Sequence, residues 1–244
     1  MVLFTIWRVT LAEWQVAATQ KEAASALAEE WQIEIDAAPA PATPAPATPQ
    51  PSTETTEPER VQERFLTPDE FSPPVIAAAE EGEVFALLRV PRFGDDYVRP
   101  IAEGVSLEEV LNRSSLGVGK YPESNLLGEA GNFAIAAHRR GFGGSFRQLV
   151  DFQVGDSIYI EVESGWYVYE FRNLEYVWPT AIDVLNSFPR IDVSSPTERL
   201  ITLTTCNPEF STDERVIAYG VYRGWYPRES GIPRELIPAH ELAQ

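Results

Sequence analysis

Thr202-Leu203-Thr204-Thr205-Cys206, with Arg215 nine residues further on, decides how this 244-residue chain is read. Residues just upstream extend it to Arg199-Leu200-Ile201-Thr202-Leu203-Thr204-Thr205, a β-branched and apolar run that reads as a buried strand. Asn207-Pro208 then ends the strand, because proline cannot donate to a ladder. A second strand-like run, Arg215 to Tyr222, follows a polar loop. Adjacent antiparallel strands joined in this way bring Cys206 and Arg215 to the same rim of a sheet. Cys206 is the only cysteine, so it has no intramolecular disulfide partner. A thiol beside a fixed positive charge at a strand end is a candidate nucleophile, although a lone cysteine is more often a small core residue.

Upstream, Gly131-Asn132-Phe133-Ala134-Ile135-Ala136-Ala137-His138-Arg139 gives a small apolar strand from Phe133 to Ala137. His138 is read as its last residue, before a glycine-rich loop from Arg139 to Ser145. A histidine there is placed like a catalytic group, or like one that merely hydrogen-bonds at a strand end. Further strands are read at 84–90, 97–101, 157–163, 166–171 and 173–177, with a hairpin turn at Ser164-Gly165. Ser106-Leu107-Glu108-Glu109 reads as a capping-box start to a short helix through about Arg113. Residues 117–122 read as a loop, and 144–149 and 181–188 as short helical turns. Many short strands, tight turns and few helices predict an all-β domain, an antiparallel sheet closed into a small barrel.

Composition narrows the function. Lys plus Arg number 19 and Asp plus Glu 37, a net charge of −18, which argues against nucleic acid as a partner. One cysteine and two histidines exclude a disulfide framework and a multi-histidine metal site. Residues Met1 to Leu11 are mostly apolar, too short to span a bilayer and interrupted by Arg8. From Glu13 to Trp31 helix formers dominate, with Trp7, Leu11, Trp14 and Ala18 at helical spacing and Leu27 and Trp31 on a weaker stripe. This helix either packs on the domain or is the outer end of a membrane helix. Residues 37–58, rich in alternating Ala and Pro, read as a polyproline spacer. Residues 59–80 are expected to lie over the domain or to be mobile. The expected division is an N-terminal helix over 1–36, a linker over 37–80, a catalytic domain over 81–228 and a loose tail over 229–244.

Cysteine catalysis needs a thiolate, a proton carrier and a group that holds an oxyanion. Cys206, His138 and Arg215 can supply these three in turn. A nearby cation lowers the thiol's pKa from its free value of about 8.5.

At these residues the sequence resembles the sortases, cysteine transpeptidases of Gram-positive bacteria. The match lies in Thr202-Leu203-Thr204-Thr205-Cys206, in Arg215 at the head of the next strand, and in His138-Arg139 after the small apolar strand. Thr205-Cys206-Asn207-Pro208 together with Gly131-Asn132-Phe133-Ala134-Ile135 looks most like the class E sortases of actinobacteria. The resemblance covers roughly residues 80 to 228. It implies a closed eight-stranded sortase-type β-barrel with short helices, and catalytic residues His138, Cys206 and Arg215. It also implies substrate contacts from Thr205 and Tyr121, and no metal or organic cofactor. The implied substrates are surface proteins with a C-terminal Leu-Ala-x-Thr-Gly or Leu-Pro-x-Thr-Gly sorting signal, cut between Thr and Gly. The implied acceptor is the amine of a lipid-linked peptidoglycan precursor. Family members carry a membrane helix and a linker. The resemblance therefore places the enzyme on the outer face of the cell membrane, with Met1 inside a longer single-pass anchor. Ala137 departs from the glycine usual before the histidine. A hydrolytic cysteine peptidase and a non-catalytic wall-associated binding module are the competing functions.

Overall fold

A computed structural model describes residues 2–37 and 73–237. All but the first residue of the proline-rich spacer read over 37–58, and His240 in the tail, lie outside them. The elements are helix α1 (Val2–Ala37) and eight strands. These are β1 (Val84–Arg89), β2 (Val98–Glu103), β3 (Val118–Lys120), β4 (Gly131–Ala137), β5 (Ser157–Val162), β6 (Gly165–Val177), β7 (Arg199–Asn207) and β8 (Glu214–Pro227). They close into a barrel in the order β1-β2-β3-β4-β7-β8-β6-β5. The expected all-β closed eight-stranded barrel is what the chain forms, although the sheet is mixed. The β2–β3 and β4–β7 pairs are parallel.

Alternation decides what each strand buries. On β7, Ile201 and Leu203 enter the core, joined there by Val216 and Ala218 of β8 and by Phe133 and Ile135 of β4. Ile217, of opposite parity on β8, belongs to a separate cluster with Val177 and Val184 on the outer surface. Strand β6 corrects one expectation. The runs read as separate strands at 166–171 and 173–177 form a single strand, whose register against β8 shifts between Phe171 and Asn173. The extra residue at this bulge leaves the inward pattern out of step, which is why one strand reads as two. Strand β3 was read as loop, and it is short enough that no period-2 signal can develop.

The capping-box turn forms as a π-helical turn, Leu107–Leu111, with the Ser106 hydroxyl accepting from the Glu109 N–H. Residues 73–80 lie over the barrel: Tyr167 donates its hydroxyl proton to Pro74 O, and Ile76 packs on the core. In the tail, Leu236 packs against a cluster that includes Tyr159 and Trp166, so residues up to 237 continue onto the barrel.

Helix α1 lies against the barrel. Ala24 and Trp31 bury with Leu87 of β1 and Val98 of β2. Of the stripe read from the sequence, Leu27 and Trp31 dock, and the N-terminal part does not. Leu11, Trp14 and Ala18 are exposed, whereas Glu13, Gln20, Ala24 and Trp31 are buried. Glu13 and Gln20 are polar, so a hydrophobic pattern could not mark the N-terminal part of this face. Among the described residues no helix is long and apolar enough to cross a membrane.

Candidate active site

The site is built from the ends of β4, β7 and β8. In the β7–β8 ladder Cys206 stands directly opposite Arg215. Opposed residues share a face of the sheet, and with Ile201, Leu203 and Val216 pointing inward, Cys206 and Arg215 take the outer face. Strand β4 runs parallel to β7, with Ala136 beside Thr204. His138, expected as the last strand residue, instead follows β4 immediately, at the same end of the sheet as Cys206 near the end of β7. Both are half-buried, and both line a cleft of about 420 Å³ together with Arg139, Arg140, Pro208, Phe210, Ser211 and Thr212.

Each group is held in a different way. Arg215 donates from one terminal nitrogen to Thr212 O at 3.0 Å and Glu214 O at 2.8 Å, which pins the guanidinium at the rim. Next to the cysteine, Asn207 donates to Glu214 Oε2 at 2.7 Å and accepts from Arg139. These contacts tie the end of β7 to β8 and to the residue after the histidine. The His138 ring has Nε2 2.8 Å from Asn112 Oδ1 and packs against Phe142, with centroids 5.1 Å apart and the planes tilted by 32°. Burial pushes the imidazole below its ordinary value of 6.5, so the neutral form prevails at neutral pH. With Nε2–H donated to Asn112, Nδ1 carries the lone pair that can take a proton.

The other two expected residues separate. Tyr121 stands beside the site: its hydroxyl lies 2.9 Å from Thr204 Oγ1, two residues before Cys206. Burial raises the phenol, opposed by that hydrogen bond and by the Arg215 guanidinium. Behind it, buried Lys120 donates to Glu103 Oε1 and to Tyr121 O, each at 3.1 Å. Thr205, expected to line the substrate groove, does not present its side chain to the cleft. It pairs with inward-facing Val216, is buried, and donates to Ala137 O at 2.7 Å. One step of alternation separates it from Cys206, and its hydroxyl joins the two strand ends that carry the cleft. Asn112 was not singled out from the sequence. It caps the π-helical turn and reaches the histidine across 26 positions, a contact that no local motif announces.

Comparison with known proteins agrees with this fold. The family described as Sortase domain matches residues 88–222. Sortase SrtE1 of Streptomyces coelicolor is 38% identical over 164 residues, covering 65% of this chain and 46% of that protein. Sortase SrtE2 of the same organism is 31% identical over 137 residues, covering 54% of this chain and 53% of its own length. The chain thus spans about half the length of the curated relatives it matches. Among solved structures, the SrtA sortase from Actinomyces oris superposes with a TM-score of 0.63 at 36% identity, covering 68% of this chain and 94% of that one. Sortase E1 from Streptomyces coelicolor, crystallised with a tripeptide in its active site, gives 0.59 at 36% identity, covering 66% of this chain and 100% of that one. This chain belongs to the sortase family, and within it to class E.

Proposed function

We propose that the chain is a cysteine transpeptidase that cuts a C-terminal Leu-Ala-x-Thr-Gly or Leu-Pro-x-Thr-Gly type signal between Thr and Gly. It then passes the protein to the amine of a lipid-linked cell-wall precursor. The observation that carries this reading is the ladder pair Cys206–Arg215, with His138 beside Cys206 in the same cleft.

The chemistry follows from these positions. The Cys206 sulfur attacks the Thr carbonyl carbon as its proton passes to His138, and the carbonyl oxygen becomes an oxyanion. Arg215 stabilises that oxyanion or grips the adjoining backbone, a cation already fixed in place. Collapse breaks the C–N bond, His138 gives its proton to the departing glycine amine, and a thioester remains on Cys206. An incoming amine attacks the thioester and loses its proton to His138. The C–S bond then breaks and the thiol is restored. Tyr121 contacts the sorting signal on the β3 side of Cys206. Thr205 acts at a distance, by keeping the ends of β4 and β7 in step. The enzyme works on the outer face of the membrane, carried by an N-terminal anchor.

Incubation of the chain with a Leu-Ala-x-Thr-Gly peptide, with and without a short glycine peptide as acceptor, tests the reading. A ligated product that grows with acceptor concentration is expected. Cleavage indifferent to the acceptor makes the enzyme a hydrolase. Turnover that persists in Cys206→Ala removes the catalytic role altogether.

A further inference from the structure

The loop that follows His138 is seated on α1, and the seat is specific. Gln20 is fully buried, and both ends of its amide are used. Its Nε2 donates to Phe142 O at 3.0 Å, and its Oε1 accepts from Ser145 Oγ at 3.1 Å. Phe142 is the residue whose ring packs against His138, and it holds its backbone at φ 45. Two turns earlier on the helix, the buried carboxylate of Glu13 lies 3.6 Å from Arg140 and 3.7 Å from Arg147. Both arginines also face Glu209, and Arg140 covers the Phe210 ring. Glu209 and Phe210 belong to the loop that leaves Cys206. Helix α1 therefore touches one wall of the cleft directly and the other through two arginines. The loop's glycines mark where the helix sits. A Cβ on Gly143 would collide with the Gln20 amide, and one on Gly144 with the Glu13 carboxylate; Gly117, just before β3, leaves the same kind of room for Gln20.

We propose that Gln20 is a positioning residue of the active site, holding the Arg139–Ser145 loop so that Phe142 packs against the His138 imidazole, with Glu13 as the second clamp. This rests on the assignment of His138 as the proton carrier. The groups that face that ring are Asn112, Phe142 and, across the cleft, Cys206, Arg139 and Arg140. Losing the Phe142 contact exposes the ring, so its pKa returns toward the ordinary histidine value.

The test compares the full chain with Gln20→Ala and with Gln20→Met, which keeps the bulk and loses both hydrogen bonds. Trp14→Ala, on the exposed face of α1, is the control. The chain holds only two histidines, so His138 is followed by its imidazole proton resonances once His240→Ala has assigned them. Expected are an upward shift of the His138 titration and a kcat loss of about tenfold, with KM changed less than about twofold. Thermal unfolding should stay cooperative, and Trp14→Ala should resemble the parent. An unmoved His138 titration in both Gln20 variants overturns the proposal, and so does loss of cooperative unfolding in both, which makes α1 part of the core's stability. The resonance readout needs no substrate. A parent chain that fails to turn over peptide therefore defeats the proposed function without masking the result for Gln20.

Discussion

The two walls of the cleft are held in opposite ways. On the β7–β8 side, Cys206 and Arg215 are nine residues apart and opposed in an uninterrupted ladder, so main-chain hydrogen bonds set their relation. On the His138 side, the ring is placed by side chains: Asn112 from 26 positions away, and Phe142, whose carbonyl is held by Gln20 from 122 positions away. A ladder keeps its register when one side chain changes. A ring held by single side chains moves when any of them is lost. The nucleophile and cation should thus be sensitive only to their own replacement, and the histidine to residues far from it.

The largest effect should come from the ladder side. Cys206→Ala is expected to lower peptide turnover at least about 10³-fold, because the covalent route is gone. Its melting temperature should stay within a few degrees of the parent, since the sulfur is only half-buried. Arg215→Lys should cost about 10²-fold in kcat. An ammonium cannot be pinned by Thr212 O and Glu214 O while still presenting a planar donor pair to substrate. A Lys variant with parent activity would mean that charge alone matters there.

Smaller effects test the histidine side. Asn112→Ala should lower kcat about tenfold with little change in KM, as the ring loses its fixed orientation. Gly144→Ala should destabilise the chain by about 1–2 kcal/mol, read from urea melts, because the new methyl group meets Glu13 and the backbone there has φ 54. Glu13→Gln in that background should leave the loss largely intact, since the amide is as large as the carboxylate. The least effect concerns pH. Burial keeps His138 neutral in the folded protein, so below pH 6.5 the unfolded chain takes up a proton more readily. Stability should fall with acidification through that window, and His138→Asn should flatten this component when melting temperatures are compared between pH 7.5 and 5.5.

Much of the site could be read without coordinates because its parts are local to strands. The β-branched run before Cys206 and the short polar loop to Arg215 together specify an antiparallel pair, and the pair specifies the shared rim. Alternation along β7 likewise turns Thr205 inward, one residue before outward-facing Cys206. Asn112 carried no such signal. It terminates a short turn like many asparagines, and only the closing of the barrel brings it to His138. The strand β6 was misread for the converse reason, since a bulge changes the side-chain period without ending the strand.

Helix α1 marks the boundary between the two kinds of knowledge. Its helicity follows from its own composition of Ala, Glu, Gln and Lys, because propensity is a property of each residue in its chain. Its docking face does not. Leu11 and Trp14 are hydrophobic and exposed, whereas Glu13 and Gln20 are polar and buried, because their partners are a loop carbonyl, a hydroxyl and two arginines more than a hundred residues away. A sequence states which groups need partners, whereas the partners of a buried polar group are decided by what tertiary folding sets within hydrogen-bond reach.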